Sequence, residues 1–184
     1  MIDFNVKHTL APVDEKIAKT DNPRHLHILN NFREHLVAEI SGDVDAIMKT
    51  QHAEPSYHFF GAGVGDTGPK GGAAVREFYD NIIMSGYNKL RYDVDRFIVD
   101  DNALFHEGEM HIVFPRASVE SMGIDPPSDG SHYVYSYRQA AIFHYDDEGI
   151  CTGEDTYSDG GPTAERLRAL TPEEQETLPS GFAA

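Results

Sequence analysis

The residues best placed for chemistry lie in the second half of the chain, where apolar and polar side chains alternate over positions 90–99 and 103–114. One alternate set reads Leu90, Tyr92, Val94, Arg96 and Ile98, with Leu104, His106, Gly108, Met110, Ile112 and Phe114. The opposite set contains Arg91, Asp93, Asp95, Glu107, Glu109 and His111, so the first set is expected to face the core. Pairing the two segments about the turn Asp100-Asp101-Asn102 sets Arg96 opposite His106 on that apolar face. A buried cation needs an acid partner or an aqueous pocket, because desolvating it alone is expensive. The competing reading is that Arg96 snorkels at the sheet rim and His106 bonds the backbone.

A second hairpin, 133–145 and 150–158 about Asp146-Asp147-Glu148-Gly149, supplies the acid. One of its faces carries Tyr133, Tyr135, Tyr137, Gln139 and Glu154; the other carries Arg138, His144, Asp155 and Tyr157. Both are semi-polar, so the pattern leaves open which one turns inward. In either case a carboxyl, Glu154 or Asp155, enters a partly apolar cavity, where desolvation raises its pKa toward acid/base use. Arg96, His106 and that acid then form a proton-transfer set. The carboxyl or His106 serves as acid/base, and Arg96 orients it or stabilises oxyanion charge. Tyr57, His58, Tyr79 and Arg138 are expected to bind the substrate's polar ends.

Other signals carry less. Gly63-Val64-Gly65-Asp66-Thr67-Gly68 matches a dinucleotide fingerprint by letter, without the preceding strand and following helix that give the motif its mechanism. The glycine-dense loop 61–72 reads instead as a mobile lip of the cavity. The ten histidines show no metal-ligand spacing, and the single Cys151 excludes a disulfide framework, so neither metal nor cofactor is expected. His35 and Glu39, four apart on a helix, read as a local surface contact.

The elements that must position these residues follow from period and punctuation. Residues 1–21 have no clear period and read as an arm. Asn22-Pro23 caps and opens a helix carrying Leu26, Leu29, Phe32, Leu36 and Ile40, closed by Gly42. Asp43 caps a short second helix, Tyr57 to Phe60 is extended, and a third helix occupies about 73–85. The two hairpins follow, and 162–184 reads as a polar tail with one short helix, Thr171-Pro172-Glu173-Glu174 being a capping box. Helices first and antiparallel strands afterwards make the chain α+β, one domain over 22–161. The 184 residues carry a net charge of −16, a field that repels phosphate backbones and anionic lipid, so no nucleic-acid or membrane partner is expected. No apolar run spans a membrane and no secretory signal opens the chain, which points to the cytoplasm.

The element order, with Gly42-Asp43-Val44-Asp45-Ala46-Ile47 after the first helix and Gly72-Ala73-Ala74-Val75-Arg76-Glu77-Phe78-Tyr79 opening the third, resembles the nuclear-transport-factor-2-like superfamily. Glu154-Asp155-Thr156-Tyr157-Ser158-Asp159 looks like its closing strand, and the resemblance covers residues 22–159. That group holds SnoaL-like polyketide cyclases, ketosteroid isomerases, scytalone dehydratases and limonene epoxide hydrolases. The resemblance implies a cone: a curved antiparallel sheet wrapped around the N-terminal helices, enclosing a deep apolar pocket. It implies cofactor-independent acid/base work on a small hydrophobic, phenolic substrate, as a lyase or dehydratase. The sharpest form is the deformylating cleavage of a lignin-derived diarylpropane. An isomerase, cyclase or epoxide hydrolase, with Asp155 as the last-strand acid, and a noncatalytic binding module are the alternatives. A homo-oligomer, dimer or trimer, is expected through the sheet.

Overall fold

The computed structural model describes residues 1–61, 63 and 65–179; positions 62 and 64 of the glycine loop and 180–184 of the expected tail lie outside the described residues. Helix α1 spans Val6–Ala18, α2 Pro23–Ser41 and α3 Val44–Lys49, followed by strand β1, Gln51–Phe60. Helix α4, Gly72–Met84, precedes the hairpin of β2, Leu90–Val99, and β3, Ala103–Pro115. A short α5, Arg116–Ser121, interrupts what reads as loop, and β4, His132–Tyr145, and β5, Cys151–Ser158, form the second hairpin. A 3₁₀ turn, β6 at Leu167–Ala169 and α6 at Pro172–Gln175 complete the described chain. Among these residues no helix is long and apolar enough to cross a membrane.

The caps act where the sequence places them. The Asn22 side chain accepts from the backbone N–H of Arg24 and His25, and Gly42 closes α2 in the left-handed region. Asp43 caps α3 through the Ala46 N–H. The strands run in the order β1-β5-β4-β3-β2 in one curved, unclosed sheet, with β6 added to β4. Pairing is antiparallel except between β1 and β5, which are parallel. Ile28, Leu29 and Phe32 of α2 pack on Leu104 of β3, Ala141 and Phe143 of β4 and Cys151 of β5. Val75 and Tyr79 of α4 pack with Ala38 and with Tyr57 of β1. The helices thus occupy the concave side and hold the sheet in the α+β cone.

Both chain ends depart from the sequence reading. Residues 1–21 do not form a free arm, since Val13 of α1 joins the central core and Phe4 is fully buried. Pro12 inside α1 removes one helical hydrogen bond and masks the period; packing of Leu10 and Val13 restores the helix. Residues 162–179 are likewise docked. Leu170 packs with Phe4, Val113 and Val134, and the buried Glu174 accepts from both Arg168 nitrogens at 2.7 and 2.8 Å and from the Ile2 N–H at 2.8 Å. The Arg168 hydrogen bonds hold the Glu174 carboxyl well down, at about 2, so the charge is matched where it is buried.

The largest departure is a β-bulge. Val94 pairs with Gly108, but Arg96, not Asp95, pairs with Glu107, leaving Asp95 as an extra residue. Beyond it the faces of β2 exchange. Phe97 pairs with His106 and packs on the core, whereas Arg96 is 69% exposed and bonds Glu107 at 3.1 Å. Ile98, expected inside, is likewise exposed. Gly108 permits the bulge, because a Cβ there would lie 2.9 Å from both the Asp93 carbonyl carbon and the Val94 Cα. Gly108→Ala is therefore expected to destabilise the protein by about 1–3 kcal/mol through overpacking. Urea denaturation measures it, and an unchanged midpoint would show that the bulge does not depend on this contact.

Candidate active site

Between the concave sheet and helices α2 and α4 lies a cavity of about 440 Å³, within the range of small-molecule sites. Its walls are mainly aromatic and aliphatic: Phe32 and Leu36 from α2, Phe78, Tyr79 and Ile82 from α4, and Tyr92, Met110, Tyr135, Tyr137 and Phe143 from the sheet. Glu39, His106, Gln139, Glu154 and Thr156 are polar groups on the same surface. Gly61 and Thr67 of the glycine loop also line it. That loop is held more than its composition suggests, since the Asp66 carboxylate accepts from the backbone of Phe59 and Gly68 and from Lys70 and His58.

Helix α2 brings in Glu39 because Phe32, Leu36 and Glu39 follow one another on a single stripe at spacings of four and three. His35 lies on the same side and is buried, not at the surface. Burial lowers its pKa to about 4, so the imidazole is neutral near pH 7. The proton order around it is fixed from one end. Thr50 donates its hydroxyl to the Ile47 carbonyl at 2.7 Å, so its oxygen accepts from His35 Nδ1–H at 3.0 Å. His35 Nε2 then accepts from Tyr79 O–H at 3.0 Å, and Tyr79 oxygen accepts from Tyr57 O–H at 3.0 Å. Glu39 Oε2 stands 3.9 Å from His35 Nε2, beyond hydrogen-bond reach.

Strand β5 presents Glu154 from the opposite wall. Burial raises its carboxyl to about 7, with the Glu39 charge adding and the Thr156 hydroxyl, which donates to Oε1, opposing. Burial also raises Glu39 to about 7. A fifth of the Glu39 side-chain surface stays open, on a residue that lines the cavity. Two carboxyls that titrate near neutrality can each be found protonated or ionised near pH 7, one able to act as acid and the other as base. At a third point His106, buried and held neutral with its pKa near 3, meets Tyr92 at 2.9 Å. The Tyr92 hydroxyl also reaches the Gln139 carbonyl, at 3.3 Å. His106 Nε2 has no hydrogen-bond partner among the described residues.

No protein-family model matches the chain, and no curated protein matches it significantly in sequence. Solved structures do. A protein from Shewanella denitrificans named as a SnoaL-like polyketide cyclase superposes with a TM-score of 0.55 at 13% identity, covering 80% of this chain and 91% of its own. A nuclear-transport-factor-2-like protein from Anabaena variabilis gives 0.55 at 14% identity over 77% of this chain and 94% of its own. A Mycobacterium tuberculosis protein in complex with estradiol-17β-hemisuccinate gives 0.53 at 14% identity over 77% and 98%. The chain has the nuclear-transport-factor-2-like fold.

Within this fold the sequence-nominated residues divide. Glu154, His106 and Tyr79 line the cavity, and Tyr57 stands directly behind Tyr79. The inward face of the second hairpin is the one bearing Glu154. Asp155 consequently points outward, 3.1 Å from His144 Nε2. Arg96 and Arg138 are on the outer face too, the latter on Asp95 at 2.5 Å, and His58 bonds Asp66 at 2.8 Å outside. Arg96 is outside because the Asp95 bulge reverses its strand; the other three sit on alternate positions facing solvent. Glu39 was missed as a site residue, although a carboxylate on an apolar helical stripe is a legible signal. Tertiary folding also brings His25, Asp100 and Asp101 together on the exposed side of the β2–β3 turn, away from the cavity.

The raised carboxyls make a linkage prediction. Glu154 titrates at about 7 folded against an ordinary value of 4.5, so ionising it opposes folding increasingly as pH rises from 4.5 through 7. Glu154→Gln removes that penalty. The variant's stability relative to the parent is expected to rise by about 2–3 kcal/mol between pH 4.5 and 8. Equal denaturation midpoints for the pair at both pH values would contradict a desolvated Glu154.

Proposed function

We propose that the protein is a cofactor-independent acid/base enzyme, a lyase or dehydratase, acting on a small hydrophobic phenolic molecule in this cavity. The observation that carries it is the pair Glu39 and Glu154, two carboxyls poised near pH 7 in an aromatic pocket. The protonated member gives its proton to a departing oxygen, and the ionised member takes one from the adjacent carbon or phenol. Tyr79, held by His35 and Tyr57, positions the substrate's oxygen. The finer reading is loss of formaldehyde from a lignin-derived diarylpropane: the benzylic oxygen leaves as water with the acid's proton, the base takes the proton of the primary hydroxyl, and the carbon–carbon bond to that CH2OH breaks, its electrons forming the new double bond.

An isomerase or cyclase would use the same pair to move a proton between two atoms. The epoxide-hydrolase alternative has less support, because Asp155 faces outward and no arginine lines the cavity among the described residues. The steroid ester held by the Mycobacterium tuberculosis protein supports a hydrophobic ligand, catalytic or not. Exposed Ile98 and Tyr157 on the outer face of the sheet support a dimer or trimer, which sedimentation would count.

With a panel of phenolic benzylic alcohols and diarylpropanes, Glu154→Gln and Glu39→Gln are each expected to lower kcat by about 10²–10⁴. Arg96→Ala and Asp155→Asn should turn over at close to the parent rate. The parent profile should peak near pH 7. Parent rates in both Gln variants, with folding verified by circular dichroism, would sink the assignment, as would no turnover of any panel member.

A further inference from the structure

The charge and hydrogen-bond inventory of the cavity says what kind of molecule completes it. Its described lining contains two carboxyls and no lysine or arginine. Four tyrosine protons on the wall are already committed. Tyr79 donates to His35 Nε2, Tyr92 sits between His106 Nδ1 and the Gln139 carbonyl, Tyr137 donates to Gln139 Oε1 and Tyr135 to the Gly160 carbonyl. Two polar groups on the wall remain unmatched. Glu39 is beyond hydrogen-bond reach of His35, and the buried His106 Nε2, on a residue that lines the same cavity, has no partner among the described residues. The rings of Phe32, Phe59, Phe78, Phe114 and Phe143 make up much of the remaining wall, and aromatic surfaces attract cations. The net charge of −16 draws cations toward the molecule from a distance.

We propose that the cavity takes a hydrophobic organic cation, an arylalkyl ammonium, with its charged end on Glu39 and its ring among the phenylalanines. This rests on reading the cavity as the substrate site and narrows the substrate of that reading to one bearing a protonated amine. Division of labour between the carboxyls follows from their surroundings. Glu39, without a hydrogen bond to its histidine neighbour, is the ionised member of the pair and neutralises the ammonium. Glu154, already bonded by Thr156, remains the proton carrier. The ammonium N–H groups donate to the Glu39 carboxylate as charge-assisted hydrogen bonds. An anionic ligand meets two acids and no cation, so the site discriminates against carboxylates of the same shape.

A matched set of probes tests this: 3-phenylpropylamine, 3-phenylpropan-1-ol and 3-phenylpropanoate, titrated calorimetrically into the parent protein at pH 8. The amine is expected to bind at least 10-fold more tightly than the alcohol, with the carboxylate weakest. Glu39→Gln, verified as folded, should bring the amine down to the level of the alcohol. An alcohol that binds as well as the amine overturns the cation assignment, as do binding of the carboxylate in preference, retention of the amine's advantage in Glu39→Gln, or no binding by any probe. The first of these leaves the acid/base reading standing, since its panel of neutral substrates tests it separately. Selective amine binding with no turnover of neutral or amine substrates would instead sink the enzyme reading and leave the cation assignment intact.

Discussion

Removing two carboxyls from water, without bringing a protein cation in after them, is the constraint on which this site depends. In most buried acids an arginine or lysine compensates, as Arg168 does for Glu174 at the docked C-terminal segment, where the carboxyl stays ionised down to about 2. Glu39 and Glu154 have no such partner on the cavity wall, and desolvation dominates in both. The same residue type therefore does opposite work in two places on one chain. One glutamate staples the ends of the fold; the other two hold protons that can be given away.

Around that pair the polar groups are ordered by a single hydroxyl-to-carbonyl hydrogen bond. Thr50 closes α3 by donating to Ile47, and this fixes in turn the tautomer of His35 and the donor direction of Tyr79 and Tyr57. Reversing any one hydroxyl would leave a buried acceptor facing an acceptor, which costs on the order of 1–3 kcal/mol. The chain of bonds is thus a rigid support for Tyr79, while burial holds His35 neutral beside Glu39. His106 is likewise held neutral by burial, beside Tyr92. Two buried histidines that decline protons leave the acids as the groups that titrate in the working range.

The outer face of the sheet collects the charges that the cavity excludes. Arg96 and Glu107, with Arg138 on Asp95, form exposed ion pairs. Exposed pairs of this kind contribute about 0–1 kcal/mol, so their placement is informative about faces and contributes little to stability. The bulge at Asp95 is what allows the array, since it turns Arg96 out and Phe97 in within one strand.

Much of this was legible in the residues alone. Local rules suffice for α2, with its asparagine cap and terminal glycine, for the two hairpins, and for the capping box at Thr171, because each depends on neighbours a few positions apart. The same local alternation correctly turns His106 inward and limits the acid of the last strand to Glu154 or Asp155. It could not choose between them, because both hairpin faces are semi-polar and the choice depends on helices packed from far along the chain. Nor could it register one extra residue at Asp95, which follows from Gly108 on the opposing strand and reverses the period for everything after it. The helical character of residues 6–18, the burial of His35 and the placing of Glu39 and Glu154 on the lining of one cavity belong to tertiary structure for the same reason. Sequence spacing fixes which side of its own element a residue occupies, but burial and charge pairing depend on what other elements bring to that side.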